Sequence, residues 1–220
     1  IIPYIINTDK ALAIIPCGTA NLLAAKLGIS TNIQKSLEVI EKNNIKTIDV
    51  IKVNEKFSIL RAGFGYDSDI ICKTPQSLKN KFGYFAYFLS GIIFALRLKR
   101  KKYTITADKK KISILATCII IANAGNMFKN LVSISNNCKL DDELLDVFIL
   151  KVQNPIMYFI EFLMILLNKK FSGSKAMYFQ AKELYIKNDF TTCHIDGEKQ
   201  KFKGDIDVKV APKSVKVFSN

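Results

Sequence analysis

The sequence predicts an α/β segment over residues 1–45, followed by a β-rich domain over residues 46–220. Three observations support this fold class. A short apolar run at residues 11–15 precedes a helical stretch that ends at Gly28, a typical residue for a helix C-terminus. From about Lys46 the chain changes to short runs rich in Ile, Val, Thr and Phe, which favour strands. Many short strands at such spacing are typical of a sandwich or barrel.

The first segment contains one predicted strand and two predicted helices. The strand at residues 11–15 is apolar on both faces, as expected of a buried strand. The first helix ends with Ala24-Ala25-Lys26-Leu27, and a second short helix is predicted from Ser36 to Glu41.

The β-rich part contains a series of predicted strands and one predicted helix, from Pro155 to Asn168. The strands are predicted over residues 47–53, 56–62, 103–107, 111–122, 145–152, 181–188, 191–195, 205–210 and 214–218. Ala211-Pro212-Lys213 separates the last two and is predicted to be a turn.

Composition and charge limit the classes of protein to which the chain can belong. Its 220 residues are enough to bury a core, and with 49% hydrophobic and 24% charged residues it is not a disordered chain. The net charge of +14 suits a polyanionic partner, which leaves nucleic acid, an anionic membrane and a phosphorylated small molecule open. The five cysteines are odd in number and widely spread, so they indicate neither a disulfide framework nor a zinc site, and they favour a reducing cytosol.

Residues 78–102, here called the basic apolar segment, combine an aromatic-rich apolar run with flanking cations. The cations are Lys79, Lys81, Arg97, Lys99, Arg100, Lys101 and Lys102. The run is too short to span a bilayer, but such a helix suits an anionic membrane surface. A core helix with solvated ends explains the pattern equally well. Nucleic-acid binding is disfavoured, because the basic runs lack interleaved stacking aromatics.

Two turns carry residues that are able to do chemistry. Gly18-Thr19-Ala20-Asn21 lies between a predicted strand and a predicted helix, where it could hold a phosphate or simply cap the helix. Asp196-Gly197-Glu198 lies between two predicted strands, and Asp-Gly is typical of a type I′ hairpin turn. Glu198 extends this turn and could also act as a base toward a substrate hydroxyl.

Carboxylates and a single histidine complete the candidate residues. Residues 140–146 contain four carboxylates, which suit Mg²⁺ or Ca²⁺ but also occur in solvated acidic turns. Gly63-Phe64-Gly65 precedes Asp67 and allows close approach of the backbone. His194 is the only histidine, which excludes a site with two histidine ligands and favours a structural role.

Five stretches, in this order, resemble motifs of the diacylglycerol kinase catalytic family, a group of lipid kinases that includes bacterial diacylglycerol kinases and sphingosine kinases. They are IIPCGTANLLAAKLGI, GFGYDSDI, LKNKFGYFAYFLSGI, LDDELLDV and HIDGE. The resemblance covers most of the chain. It implies the C-terminal part of a NAD-kinase-like α/β nucleotide domain, followed by a β-sandwich lipid-kinase domain, with ATP and lipid meeting in the cleft.

The resemblance also implies an enzyme that transfers the ATP γ-phosphate to the hydroxyl of a lipid such as diacylglycerol. Thr19 would contact ATP, supported by Gly18 and Asn21, and Glu198 would accept the proton of the lipid hydroxyl. Asp67 would belong to the polar network behind the site.

A Mg²⁺ ion is implied at residues 139–146, here called the acidic loop. It would be held by the carboxylate of Asp142 and the backbone carbonyls of Lys139 and Leu144. Glu143 stands where this loop usually has Gly, so we expect its backbone geometry to be affected. Leu22 likewise stands where an Asp usually follows the Asn of the turn Gly18-Thr19-Ala20-Asn21, here called the nucleotide turn.

The protein is expected in the cytoplasm, attached peripherally to an anionic membrane that supplies the lipid alcohol. No nucleic-acid partner is expected, and a homodimer is one possible assembly. The family's Gly-Gly-Asp-Gly-Thr phosphate loop is expected upstream of Ile1. Two alternatives stay open at this point. One is a soluble NAD-kinase-like enzyme, and the other is a non-catalytic lipid-binding module that truly lacks the N-terminal half.

Overall fold

A computed structural model describes most of the chain. The residues that it does not describe are 19–20, 83–85, 87–89, 92, 94–98, 124–125, 129–131, 134–138, 153, 158–159, 161–174 and 188–192. In the described part, the helices are α1 (Ile2–Ile5), α2 (Leu22–Lys26), α3 (Ile33–Glu41), α4 (Tyr66–Lys73) and α5 (Gln76–Phe82). The first strands are β1 (Ala11–Leu12), β2 (Ile45–Val53), β3 (Lys56–Ser58), β4 (Arg61–Gly65), β5 (Lys101–Ala107), β6 (Lys110–Ala116) and β7 (Cys118–Ala122). The remaining strands are β8 (Asn126–Phe128), β9 (Val132–Ser133), β10 (Leu145–Leu150), β11 (Ala176–Ala181), β12 (Glu183–Lys187), β13 (Cys193–Ile195), β14 (Glu198–Gln200) and β15 (Ile206–Phe218).

Two sheets are the main architecture of the described residues. The first has the strand order β3-β2-β15-β12-β5-β6, with β1 added in parallel to the second half of β15. The second has the order β11-β10-β7-β4-β13-β14, and its strands are antiparallel throughout. Strands β8 and β9 form a separate pair.

The sheets pack face to face over a common core, as in a sandwich. Ile51 and Ile105 from the first sheet and Phe64 and Ile149 from the second belong to one cluster, and all four are fully buried. Apolar burial of this kind is the main stabilising contribution to such a fold.

A second apolar cluster joins the N-terminal helices to the first sheet. Ala24 and Leu27 of the α2 region and Val39 of α3 pack together with Val50 of β2 and with Leu140 from the acidic loop. The nucleotide turn, which precedes α2, and the acidic loop are therefore attached to the same core.

The α/β plus β-sandwich class that the sequence predicted is confirmed, whereas several element boundaries differ. Residues 111–122 form two strands, because the chain turns at Thr117 and crosses from the first sheet to the second. Residues 205–218 form one strand instead of two, and Pro212 lies in an irregularity between Ala211 and Val215 where the pairing with β2 shifts register. Proline is tolerated there because a bulge does not need its N–H.

Two predicted helical regions lie partly outside the described residues. In the basic apolar segment, α5 ends at Phe82, and residues 86, 90, 91 and 93 are helical. In the predicted helix 155–168, residues 155–157 and 160 are helical. Within the part of the chain that the structure describes, no helix is long and apolar enough to cross a membrane.

Candidate functional site

The turn between β13 and β14 has the hairpin geometry that the sequence predicts. Asp196 and Gly197 have φ values of 48° and 90°, and a type I′ turn requires positive φ at both central residues. The flanking residues Ile195 and Glu198 face each other in the antiparallel ladder.

Asp196 anchors this turn to the segment that joins β3 and β4. Its carboxylate accepts hydrogen bonds from Ser58 Oγ at 2.7 Å and from the backbone N–H groups of Ile59, Leu60 and Arg61 at 2.8, 3.0 and 3.0 Å. Its own N–H donates to the carbonyl of Arg61 at 2.9 Å. Five hydrogen bonds therefore hold one residue of the turn, so the position of its neighbours is well defined.

Glu198 is the first residue of β14, which is the terminal strand in the order of the second sheet. It is exposed to solvent, whereas the strand residues before the turn, Cys193 to Ile195, are buried. The chain thus holds an accessible carboxylate directly beside an anchored turn.

A buried polar group lies behind this turn. His194, which is fully buried, places its Nε2 atom 2.5 Å from Oδ2 of Asp67 on α4, and an Arg61 nitrogen lies 3.6 Å from Oδ1 of the same carboxylate. Burial alone would raise the pKa of Asp67, but the charge of Arg61, together with the electrostatic interaction and hydrogen bond of His194, outweighs burial and lowers this pKa to about 2. The carboxylate is therefore ionised at neutral pH.

Gly63 leaves the space that this pair occupies. A Cβ atom at position 63 would overlap Oδ2 of Asp67 and Nε2 of His194, and it would lie 2.7 Å from Cδ2 of the imidazole. The first glycine of Gly63-Phe64-Gly65 is therefore explained by packing of side chains against the backbone. The second, Gly65, has a φ of 72° and directly precedes α4.

The acidic loop is held by a carboxylate that the sequence motifs did not include. Asp49 on β2 is fully buried, and its two oxygens accept the backbone N–H groups of Glu143 and Lys213 at 2.6 and 2.7 Å. Its backbone N–H donates to the carbonyl of Leu140 at 2.6 Å. Glu143 has a φ of 61°, so it takes the left-handed conformation that glycine adopts most readily.

The candidate metal ligand Asp142 lies in an environment rich in negative charge. Burial, followed by the charges of Asp146 and Asp49, raises its pKa, although hydrogen bonds from the backbone of Leu144 and Lys139 act in the opposite direction. Asp146 is also buried, and its Oδ2 atom has no hydrogen-bond partner. A cation near Asp142 would relieve this repulsion, so the residues present fit Mg²⁺. Among the described residues there is no group of three His, Cys, Asp or Glu side chains arranged as metal ligands.

In the nucleotide turn, Thr19 lies outside the described residues. Asn21 closes the turn on Gly18: its Oδ1 atom accepts the N–H of Gly18 at 2.9 Å, and its Nδ2 atom donates to the Gly18 carbonyl at 2.8 Å. Its side chain does not cap α2. Asn21 is thus the N-cap residue of α2 without a side-chain cap, and phosphate binding by the turn stays a prediction.

Two buried polar residues connect these parts, and sequence reasoning missed both. One is Asp49, described above. The other is Asn123, whose Nδ2 atom donates to the carbonyls of Asp49 and Ile59 at 2.6 and 3.3 Å. Ile59 in turn donates to Asp196. The signal for Asp49 was a lone carboxylate inside the apolar run Ile48-Asp49-Val50-Ile51, because such a charge needs buried partners.

Comparison with protein families gives matches along nearly the whole chain. Residues 2–53 match the model of the diacylglycerol kinase catalytic domain. Residues 61–219 match the model of the YegS C-terminal NAD kinase beta sandwich-like domain.

Individual relatives agree with these matches. A protein of Shewanella frigidimarina named "Probable lipid kinase YegS-like" is 33% identical over 144 residues, which cover 64% of this chain and 45% of that protein. The diacylglycerol kinase of Bacillus subtilis is 27% identical over 197 residues, which cover 88% of this chain and 64% of that protein. The chain spans 35% of the length of a related Synechocystis protein and 64% of the length of the B. subtilis protein.

The fold also matches a solved structure. The crystal structure of a diacylglycerol kinase from Bacillus anthracis superposes with a TM-score of 0.75, covering 96% of this chain and 69% of that chain. The sequence identity is 24%, so this likeness concerns the fold.

Proposed function

The chain belongs to the diacylglycerol kinase catalytic family, and on this premise we propose that it is part of an ATP-dependent kinase that phosphorylates the hydroxyl of a membrane lipid, such as diacylglycerol. The observation that carries the proposal is the exposed carboxylate of Glu198 beside a turn that is held by the hydrogen bonds of Asp196 and by the buried His194. Two relatives whose names include lipid kinase or diacylglycerol kinase support the substrate class.

Glu198 is proposed to accept the proton of the lipid hydroxyl as the new bond to phosphorus forms. Phosphoryl transfer depends on positioning and charge neutralisation, so a base fixed at one place is what the protein can contribute. The exposed position of Glu198 allows a lipid headgroup to reach it, and the anchored turn restricts where its carboxylate lies.

Thr19 and Gly18 are proposed to bind ATP, with Asn21 as support. The two hydrogen bonds between Asn21 and Gly18 keep the turn closed, and Gly18 has no side chain that would keep a phosphate away from its backbone. Asp67 is proposed to act in the polar network behind the site, since its carboxylate is buried and ionised.

Mg²⁺ is proposed to bind at the acidic loop through the carboxylate of Asp142 and the carbonyls of Lys139 and Leu144. When bound, the ion would supply positive charge that stabilises the loop and neighbouring acidic groups. The chain's own contribution is the clamp from Asp49, which holds Glu143 and hence the loop backbone in place.

Peripheral membrane attachment through the basic apolar segment is the second part of the proposal. Lys99, Arg100 and Lys101 are exposed, and Ile93 is 59% exposed at the described end of the helical region. Exposed apolar and basic side chains together suit an anionic bilayer surface.

The decisive experiment measures phosphate transfer from labelled ATP by the complete natural protein, with lipid alcohols and NAD as separate acceptors. Glu198→Gln should lower the turnover of a lipid alcohol by about 10²-fold or more, which is the usual scale for loss of a general base. Glu198 is not the base if the variant keeps near-normal turnover. Transfer to NAD and not to any lipid would show a NAD-kinase-like enzyme instead.

A vesicle experiment tests the membrane part. Replacing Lys99, Arg100 and Lys101 by Ser should weaken binding to anionic vesicles, and salt should diminish the difference. The matched control replaces Lys109, Lys110 and Lys111 by Ser. This triple variant loses the same charge, but at the opposite end of the β5–β6 hairpin. Equal losses in both triple variants would contradict a specific membrane-facing segment.

A further inference from the structure

We propose that His194 is a positioning residue for the turn that carries Glu198. In this role it links the carboxylate of Asp67 on α4 to the backbone of Gly197. The inference rests on the proposed role of Glu198 as the base. It gives the buried side chain of His194 a role in placing that base.

The two nitrogens of the imidazole have different partners. Nε2 lies 2.5 Å from Oδ2 of Asp67, and Nδ1 accepts a long hydrogen bond of 3.4 Å from the backbone N–H of Gly197. Because Nδ1 accepts a hydrogen bond, these partners assign the proton to Nε2, which donates it to the carboxylate. One ring therefore joins a helix to the residue immediately before Glu198.

The surroundings leave the imidazole little freedom. His194 is fully buried and pairs with Gly63 of β4 in the antiparallel ladder. The absence of a side chain at Gly63 leaves room for the pair, and Arg61 holds the other oxygen of Asp67 at 3.6 Å. The ring is thus fixed by strand β4, helix α4 and strand β13 together.

The turn has two central residues, and each is held from a different side. Asp196 is bound to the β3–β4 connection by its carboxylate, and Gly197 is bound to His194 by its N–H. Loss of the second contact would leave Gly197 free to rotate, since glycine tolerates both signs of φ. A shift of about 1 Å in a catalytic group is enough to lower a rate by about 10²-fold, so the direction in which Glu198 leaves the turn matters.

The test uses two variants of the complete protein that each keep one half of the link. His194→Gln places an amide nitrogen near the position of Nε2 and so keeps the contact with Asp67, whereas His194→Asn places an amide oxygen near Nδ1 and so keeps the acceptor for Gly197. We expect the first variant to lower kcat by about tenfold or more with little change in the KM for ATP, and the second to lower it less. The control is Ser36→Ala, which removes a hydrogen bond of 2.7 Å between the buried Ser36 hydroxyl and the carbonyl of Ile33 in α3, and which should leave kcat unchanged.

Combination with Glu198→Gln separates positioning from a general loss of structure. If His194 acts through Glu198, His194→Gln should have almost no further effect on kcat in the Glu198→Gln background. An equal fold-loss in both backgrounds, or no loss in either, would overturn the inference.

A readout without catalysis keeps this inference distinct from the proposed function. If Glu198→Gln alone retains turnover, the assignment of the base fails, and the link is then judged by hydrogen exchange of the Gly197 amide. Exchange at least tenfold faster in His194→Gln than in the wild type, with the unfolding temperature within a few degrees, supports the link. Unchanged exchange at Gly197 in His194→Gln contradicts the link. If His194→Gln fails to fold, His194→Asn is measured instead. Exchange close to that of the wild type then agrees with an acceptor kept near Nδ1, and faster exchange contradicts the link.

Discussion

The buried carboxylate of Asp49 accepts a hydrogen bond from the backbone N–H of Glu143, with 2.6 Å between Oδ2 and the nitrogen. This contact holds the acidic loop in a conformation in which Glu143 has a positive φ. We expect Asp49→Asn to lower the free energy of unfolding by about 1–3 kcal/mol, because an amide NH₂ group would face a backbone N–H. Denaturant unfolding measures this loss.

The control for this prediction is Glu143→Gln, which removes the ion pair with Lys213 but keeps the backbone contact. That pair joins two side chains that are 39% and 62% exposed, so its loss should leave the unfolding free energy nearly unchanged. A larger loss in Glu143→Gln than in Asp49→Asn would show that the side chain, and not the backbone clamp, holds the loop.

Gly63→Ala tests the packing around the Asp67–His194 pair. The new methyl group would overlap both side chains, and overpacking of this kind costs about 1–3 kcal/mol. Gly204→Ala is a suitable comparison, because position 204 has open space but a φ of 80°, so this variant reports only the backbone cost of about 1–2 kcal/mol. If Gly63→Ala is as stable as the wild type in thermal unfolding, the pair does not have the close packing described here.

The pH dependence of stability should contain a contribution from Asp67. Burial raises its pKa, but Arg61 and His194 lower it from 3.8 to about 2, so the stabilisation is fully present above about pH 4 and is lost as the pH falls toward 2. The size expected from this difference is about 2 kcal/mol. Unfolding free energies between pH 5 and pH 2 should therefore fall less steeply in Asp67→Asn than in the wild type.

Asp9 provides the matched comparison for this pH series. Its pKa is lowered by a hydrogen bond and the charge of Lys216, but the group is exposed, so solvent screens the interaction. Asp9→Asn should follow the wild-type curve. Coincident curves for Asp67→Asn and the wild type would contradict a buried, ionised Asp67.

Mg²⁺ should stabilise the protein through the acidic loop. We expect the unfolding temperature to rise with Mg²⁺ concentration in the wild type, and not in Asp142→Asn, because only the native loop gathers the proposed ligands. Asp141→Asn, which changes an exposed neighbour, should keep the response. A Mg²⁺ response that survives in Asp142→Asn would place the ion elsewhere.

Much of the architecture was predictable because local signals agreed with the fold. The change to strand-favouring residues near Lys46 agrees with the start of β2 at Ile45. Asp196-Gly197 forms the predicted hairpin turn because both residues tolerate positive φ. By contrast, helix α4 was not predicted: Tyr66–Lys73 contains β-branched and acidic residues that are weak helix formers, and the helix is stabilised by packing on β13 and β14. The boundary near residue 45 stays a prediction.

The candidate site was predictable in its motifs but not in its contacts. Glu198 and Asp142 belong to recognisable stretches, and their roles stay predictions. Asp49 and Asn123 are isolated polar residues within apolar runs, so no local pattern indicates that they hold the acidic loop and the β3–β4 connection. Their function depends on partners more than 60 positions away, which pairing between distant strands brings close.

Strand β15 has a consequence for the order in which the protein can assemble during synthesis. Its residues pair with β1 and β2 near the start of the chain and with β12. The ribosome therefore releases residues 11–53 long before their hydrogen-bonding partners at 206–218 are synthesised. Until then, the edges of β1 and β2 that pair with β15 have no β15 to pair with. The nascent chain is expected to need protection from aggregation over this interval, since open strand edges readily pair with other chains.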